Sequence, residues 1–292
     1  APTFIVMFSF LLAYFFISMY SLASTLRGEN WSVSDFIDYA KNISLDGVEL
    51  LDIYWQNPVN KDEEIQKVVE KLHKTNLEVS AYDITNNFVH QNKTERKAEV
   101  EKVVEGIRVA KALDANTVRV FCGDIREGLI YEDCFDWIIE GLKESAKVAE
   151  QEKIVLAIEN HGLLAGKSQQ IQEIIKAVNS PYVKSTFDTG NFLLVHEEPT
   201  KAFDRLKNEI AHVHFKDFRE KEVHETVKGF RSTEGKELIG VIPGDGKVDL
   251  TYIVEGLKKQ DYQGWLSIEY EGFEDAKLAN EEAVRRLRKL LN

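Results

Sequence analysis

The chain has 292 residues, of which 43% are hydrophobic and 29% are charged, and its formal net charge is -12 at pH 7. The length and the composition suit one large globular α/β domain with a sizeable core. The negative charge disfavours nucleic acid as a partner, because Lys and Arg residues are interleaved with Glu and form no basic patch. The two cysteines, Cys122 and Cys134, belong to no CxxC motif, so neither a disulfide framework nor a thiolate metal site is indicated.

The N-terminal segment is unusual because its first 26 residues include no charged side chain. Such a run raises a membrane span or a signal peptide as alternatives. No Lys or Arg precedes the run, which disfavours a signal peptide, and residues 17–22 are needed as the first strand of a sheet, which disfavours a span. We therefore expect an apolar extension over residues 1–16, a single domain over residues 17–292 and a cytoplasmic protein without a membrane partner, with export as the alternative.

Short apolar runs alternate with longer amphipathic runs along the rest of the chain. Runs rich in β-branched or aromatic residues predict buried parallel strands over residues 17–22, 47–51, 78–82, 117–122, 154–159, 183–188, 210–214 and 265–270. The amphipathic runs predict helices over residues 34–42, 62–74, 94–113, 132–150, 168–178, 199–206, 250–259 and 275–290. Eight strands that alternate with eight helices indicate a single-domain α/β fold, the (β/α)8 or TIM barrel. A doubly wound open sheet is disfavoured, because the sequence contains no Gly-rich phosphate loop.

The last four predicted strands end in polar residues, namely Glu159, Asp188, His214 and Glu269. In a closed parallel barrel the C-terminal ends of neighbouring strands meet at one mouth, so these four side chains can surround a single ion. Three carboxylates and one imidazole form a mainly oxygen donor set. Such a set suits Mn²⁺ or Mg²⁺, with Co²⁺ or Zn²⁺ as alternatives. The sequence therefore predicts one divalent-metal site at the catalytic face of the barrel.

Other polar residues are expected near the same mouth. Strand alternation sends His212 and Lys216 to the same face as His214. We interpret Lys216 either as a group that polarises a substrate oxygen or as the partner of a strand-end glutamate. His161 follows the fifth strand, where a substrate contact and a surface position are both open. The longest connection, residues 217–248, is expected to be a functional loop on the catalytic face.

Five segments in this half of the chain resemble the xylose isomerase-like TIM-barrel superfamily, and within it the sugar phosphate isomerase/epimerase branch. They are Ala157-Ile158-Glu159-Asn160-His161, Phe187-Asp188-Thr189-Gly190-Asn191, His212-Val213-His214-Phe215-Lys216-Asp217, Pro243-Gly244-Asp245-Gly246 and Ile268-Glu269. The branch includes ketose 3-epimerases, hydroxypyruvate isomerase and inosose dehydratase. The resemblance covers roughly residues 154–290. Before them, only the predicted order of strands and helices resembles the family.

The resemblance implies roles for individual residues. The four strand-end residues match the metal ligands of the family, and Glu159 and Glu269 also match the groups that move the substrate proton. Many members have His where this chain has Asn191, so we expect a hydrogen bond from Asn191 to substrate rather than an acid–base role. His161, His212 and Lys216 complete the expected substrate-binding set.

The implied function is that of a divalent-metal-dependent isomerase or epimerase of a small sugar or polyol. It would remove a proton next to a carbonyl, through an enediolate that the metal stabilises. A dehydratase of a keto-polyol, in which a neighbouring hydroxyl then leaves, is the alternative. An endonuclease IV-like nuclease is disfavoured by Asn191 and by the acidity of the chain. A non-catalytic sugar-binding barrel is disfavoured by the presence of Glu159 and Glu269. A homo-oligomer is compatible with these expectations.

Overall fold

A computed structural model describes residues 14–291, and the parallel strands close into one barrel. The barrel strands are β1 (Phe15–Ser18), β2 (Gly47–Leu51), β3 (Glu78–Asp83), β4 (Thr117–Val120), β5 (Val155–Glu159), β6 (Val183–Asp188), β7 (Ile210–Phe215) and β11 (Trp265–Ile268). Around the barrel they follow one another in chain order, and β11 pairs with both β7 and β1 to close it. The predicted single-domain TIM barrel is therefore confirmed. Residues 1–13 of the expected apolar extension lie outside the described residues.

The helices surround the barrel as the amphipathic runs predict. They are α1 (Ala23–Gly28), α2 (Val33–Asn42), α3 (Lys61–Thr75), α4 (Lys93–Ala112), α5 (Tyr131–Glu152), α6 (Ser168–Val178), α7 (Pro199–Leu206), α8 (Leu250–Lys259) and α9 (Ala276–Leu291). Every predicted helix is present with its ends within two residues of the expected ones, whereas α1 was not predicted. Side-chain caps help to set these ends: Ser32 and Asp35 form a capping box at the start of α2. None of the helices within residues 14–291 is long and apolar enough to cross a membrane.

The first strand differs from its prediction. It spans Phe15–Ser18 rather than residues 17–22, so two residues assigned to the extension belong to the barrel, and Met19–Leu22 forms a 3-10 helix. Ser21 explains the early end of the strand. Its hydroxyl donates to the carbonyl of Ile268 at 2.8 Å and accepts from the N–H of Tyr270 at 2.7 Å, which holds the turn against β11. An apolar run alone does not distinguish a buried strand from such a buried turn.

The connection over residues 217–248, predicted as a functional loop, has secondary structure of its own. It contains a three-stranded antiparallel sheet of β8 (Asp217–Glu220), β9 (Phe230–Arg231) and β10 (Glu237–Val241), with β10 in the centre. β8 and β9 are short and rich in charged residues, so they lack the apolar signal of the barrel strands, whereas β10 is apolar after Glu237 and was overlooked.

Asp217 anchors the end of this connection and gives the Pro243-Gly244-Asp245-Gly246 segment a structural role. Its carboxylate accepts hydrogen bonds from the N–H groups of Gly244, Gly246 and Val248 at 2.9–3.0 Å. A Cβ atom on Gly246 would lie 2.2 Å from Oδ1 of Asp217. Only glycine therefore allows this close approach of the backbone to the carboxylate.

Candidate metal centre

The structure brings Glu159, Asp188, His214 and Glu269 together at the C-terminal end of the barrel. One ligand atom from each residue lies within 4.8 Å of the others, and all four side chains are buried. Two of them end β5 and β6, one lies near the end of β7, and Glu269 directly follows β11. The predicted convergence is thus observed as a buried carboxylate and histidine cluster, which is consistent with a divalent-metal site. The assignment of each residue as a ligand stays a prediction.

The geometry around His214 tests whether these residues fit a metal ion. Its Nδ1 lies 3.7 Å from Oε2 of Glu159, 3.8 Å from Oδ2 of Asp188 and 3.5 Å from Oε2 of Glu269. Four ligands placed about 2.1 Å from a tetrahedral ion are about 3.4 Å apart, which is close to these separations. The same nitrogen is buried and has no hydrogen-bond partner among residues 14–291, although buried polar atoms are normally paired. The donor set and its spacing therefore fit a divalent cation.

The electrostatics of the cluster also favour a bound cation. Burial, together with the nearby carboxylates of Glu159 and Glu269 and against the effect of Lys216, raises the pKa of Asp188 to about 7. Burial alone would raise the pKa of Glu159 too, but Arg119 and His214 hold it well below its usual value. Packing three carboxylates at one buried point is costly unless positive charge compensates for them.

Lys216 lies within the cluster rather than beside it. Its Nζ is 2.6 Å from Oε2 of Glu269 and 3.3 Å from both Oδ2 of Asp188 and Oε2 of Glu271. Burial alone would lower the pKa of Lys216, but these carboxylates raise it well above its usual value, so the ammonium group stays charged. Lys216 is thus the partner of the strand-end Glu269, which agrees with the second of the two interpretations from the sequence. Its contact with substrate stays a prediction.

Asn191 and His161 border the cluster. The side-chain N–H of Asn191 donates to Oε1 of Glu159 at 3.1 Å, so Asn191 lies where a substrate contact was predicted. His161 is half-buried and stacks on Phe121, with ring centroids 4.1 Å apart. Substrate binding by either residue stays a prediction.

His212 is not brought to the mouth of the barrel. It is fully buried, and its Nε2 lies 3.0 Å from Oε2 of Glu49. Because His212 precedes His214 by two residues on a parallel strand, it lies one layer deeper in the barrel. The prediction that it binds substrate is therefore not supported by its position.

Three further charged residues were overlooked in the sequence, namely Glu49 on β2, Asp83 on β3 and Arg119 on β4. All are buried. The guanidinium group of Arg119 lies 3.2 Å from the carboxylates of both Asp83 and Glu159. A signal was present: Glu49 and Arg119 each interrupt an otherwise apolar strand, and a charge buried in this way needs a partner.

The closed barrel and the buried cluster at the C-terminal ends of its strands define a TIM barrel with a candidate divalent-metal site at its catalytic face. More specifically, the chain belongs to the xylose isomerase-like TIM barrel family, whose sequence pattern matches residues 37–290.

A curated protein is similar to about half of the chain. The inosose dehydratase of Mesomycoplasma hyopneumoniae (strain 7448) is 31% identical over 167 residues, which make up 54% of this chain and 55% of that protein. The match thus spans about half the length of this relative.

Solved structures share the fold. The probable 3-DHS dehydratase AsbF from Bacillus anthracis superposes with a TM-score of 0.74 at 18% identity, covering 94% of this chain and 98% of that one. A D-tagatose 3-epimerase-like protein superposes with a TM-score of 0.73 at 23% identity, covering 95% and 98% of the two chains.

Proposed function

We propose that the protein is a divalent-metal-dependent dehydratase that removes water from a neutral keto-polyol such as an inosose. The observation that carries this proposal is the contact of 2.6 Å between Lys216 Nζ and Glu269 Oε2, which sets a cationic donor beside a carboxylate base. Elimination of water needs such a pair, because one group removes a proton from carbon while the other assists the departing hydroxyl. The names of the matching inosose dehydratases support the same reaction.

The surroundings of Glu159 favour dehydration over epimerisation. Epimerisation at one carbon requires two groups that exchange protons on opposite faces of the substrate. Both oxygens of Glu159 are engaged: Oε1 accepts from Asn191 at 3.1 Å, and Oε2 is paired with Arg119 at 3.2 Å. Glu159 is therefore suited to a fixed, ionised role, which leaves Glu269 as the carboxylate for proton transfer.

In the proposed reaction, Glu269 and Lys216 exchange protons with the substrate and return to their starting protonation states. A divalent cation held by the four strand-end residues would polarise the substrate carbonyl and acidify the neighbouring C–H bond. Glu269 removes that proton first, and the electron pair of the C–H bond then forms a carbon–carbon double bond when the neighbouring C–O bond breaks. Lys216 gives a proton to the departing hydroxyl, which leaves as water. Proton transfer from Glu269 to Lys216 across their contact then restores both groups.

The charges of the site favour a neutral substrate. Among residues 14–291, the buried lysine and arginine side chains are those of Arg119 and Lys216. Arg119 is paired with two carboxylates and Lys216 with three, so neither is free to bind a substrate carboxylate. An acidic substrate would add negative charge to a cluster that already contains three carboxylates. A polyol instead offers hydroxyl groups, which can both donate to these carboxylates and accept from Asn191.

The test is to incubate the purified protein with Mn²⁺ and an inosose in D₂O, and to follow the substrate by NMR and mass spectrometry. We expect a product that has lost one water, and no reaction after chelation of the metal. The isomerase or epimerase predicted from the sequence is the second candidate, because Glu159 and Glu269 both border the cluster. Deuterium incorporation by the wild-type protein without any loss of water would support that candidate and contradict dehydration.

A further inference from the structure

Beneath the cluster, in the interior of the barrel, one carboxylate contacts two histidines. Oε1 of Glu49 lies 2.6 Å from Nε2 of His214, and Oε2 of Glu49 lies 3.0 Å from Nε2 of His212. All three side chains are fully buried. Because an ionised carboxylate only accepts hydrogen bonds, each histidine must carry a proton on Nε2.

This contact determines which nitrogen of His214 faces the cluster. With the proton on Nε2, a neutral His214 presents the lone pair of Nδ1 to the space between Glu159, Asp188 and Glu269. An acceptor that faces three carboxylates is repulsive unless a proton or a metal ion lies between them, and the metal ion takes the place of the proton when it binds. Histidines that ligate metals commonly donate their second N–H to a carboxylate, which fixes the tautomer and the ring orientation.

A second metal ion between Glu49, His212 and His214 is the competing explanation, because their atoms also lie within 4.8 Å of one another. Two ligands about 2.1 Å from one ion and at right angles are about 3.0 Å apart. The contact between Glu49 and His214 is shorter, at 2.6 Å, and fits a charge-assisted hydrogen bond. The geometry thus favours a positioning role over a second ion.

We propose that Glu49 is a positioning residue that holds His214 in the tautomer and orientation required for metal binding. His212 supports it by donating to the second oxygen of Glu49, which explains why two histidines alternate on β7. The inference rests on the proposed metal site and adds a residue that is 165 positions away from His214 in the sequence.

The variant Glu49→Gln tests this role. An amide can accept from one histidine only, and its NH₂ group faces the other, so the two Nε2–H donors are no longer both satisfied. We expect the affinity for Mn²⁺, measured by titration calorimetry, to fall about 10- to 100-fold. Glu197→Gln is the matched control, because Glu197 accepts from the backbone N–H of Ser168 at the start of α6 and lies outside the cluster. Its Mn²⁺ affinity should equal that of the wild type.

A second measurement uses the unaltered protein and therefore does not depend on the folding of a variant. In the protein loaded with diamagnetic Zn²⁺, long-range ¹H–¹⁵N correlation should show His214 protonated on Nε2. A proton on Nδ1, or wild-type Mn²⁺ affinity in a folded Glu49→Gln variant, would overturn the inference. If the wild-type protein binds neither ion, the proposed metal site itself is wrong, and this outcome is distinct from a failure of Glu49 alone.

Discussion

Lys216 and Glu269 form a buried ion pair, with Nζ and Oε2 2.6 Å apart, at the point where β7 and β11 reach the mouth of the barrel. The pair joins a proton donor and a proton acceptor that would act on adjacent carbons of a substrate. The carboxylates of Asp188 and Glu271 lie 3.3 Å from the same ammonium group, so Lys216 is held in place from three sides.

Replacing Lys216 by Met should separate the two halves of the proposed reaction. Loss of the donor should slow dehydration by about 10²- to 10⁴-fold, the usual contribution of a general acid. Glu269 remains, so deuterium from D₂O should still enter the carbon next to the carbonyl. The measurement is the ratio of deuterium incorporation to water loss. Lys221→Met is the control, because Lys221 pairs with Glu237 on the small sheet. Unchanged dehydration in Lys216→Met would remove Lys216 from the mechanism.

Replacing Glu269 by Gln should abolish both deuterium incorporation and dehydration, because the carboxylate assigned to proton removal is lost. Affinity for Mn²⁺ should also fall, since one of four predicted ligands loses its charge. Circular dichroism should show an intact fold. Glu255→Gln on the exposed face of α8 is the matched control and should leave both activities unchanged. Undiminished deuterium incorporation in Glu269→Gln would assign the base to another residue, with Glu159 the first to examine.

The affinity for Mn²⁺ should rise as the pH rises from 6 to 8. In the metal-free protein the pKa of Asp188 is raised to about 7, chiefly by burial, so below that pH its carboxyl group is largely protonated. Burial alone would lower the pKa of His214, but Glu49 and Glu269 raise it well above its usual value, so His214 also binds a proton there. The metal must displace these protons, and acidic conditions therefore oppose binding. Calorimetry in buffers of different ionisation enthalpy should detect proton release; pH-independent binding would contradict the assignment of both ligands.

The same pKa shifts predict how the stability of the metal-free protein depends on pH. Asp188 and His214 both hold protons more tightly in the folded state than in the unfolded state, so stability falls as the pH rises through 6 to 8. Bound Mn²⁺ replaces those protons, and it binds more tightly at the higher pH. The increase in melting temperature on addition of Mn²⁺ should therefore be larger at pH 8 than at pH 6 by scanning calorimetry. An equal increase at both values would show that the metal binds elsewhere.

The barrel and its four strand-end residues could be predicted because each depends on a local signal. A short apolar run that ends in a polar residue marks a buried strand and its C-terminal end, and closure of the barrel brings such ends together. Glu159, Asp188, His214 and Glu269 were found in this way.

The contacts of Glu49 with His212 and His214 could not be predicted in the same way, because they join distant parts of the chain. Glu49 and His212 are in contact although they are 163 positions apart in the sequence, and no local pattern indicates that pairing. The error in β1 has a related cause: Ser21, just after the strand, is bonded to Ile268 at the end of β11 and to Tyr270 beyond it, 247 and 249 positions away.

Arg119 should be a main determinant of stability, because it is the cationic partner of two carboxylates in the interior of the barrel. Arg119→Met would leave Asp83 and Glu159 buried without that partner, and removing one member of a buried ion pair costs about 3–5 kcal/mol. Urea unfolding should detect this loss in the metal-free protein. The matched control is Arg108→Met, in which a surface guanidinium loses Asp62 and Glu105 at a cost of less than ~1 kcal/mol. Equal and small losses in the two variants would show that pairing with Asp83 and Glu159 does not make Arg119 a main determinant of stability.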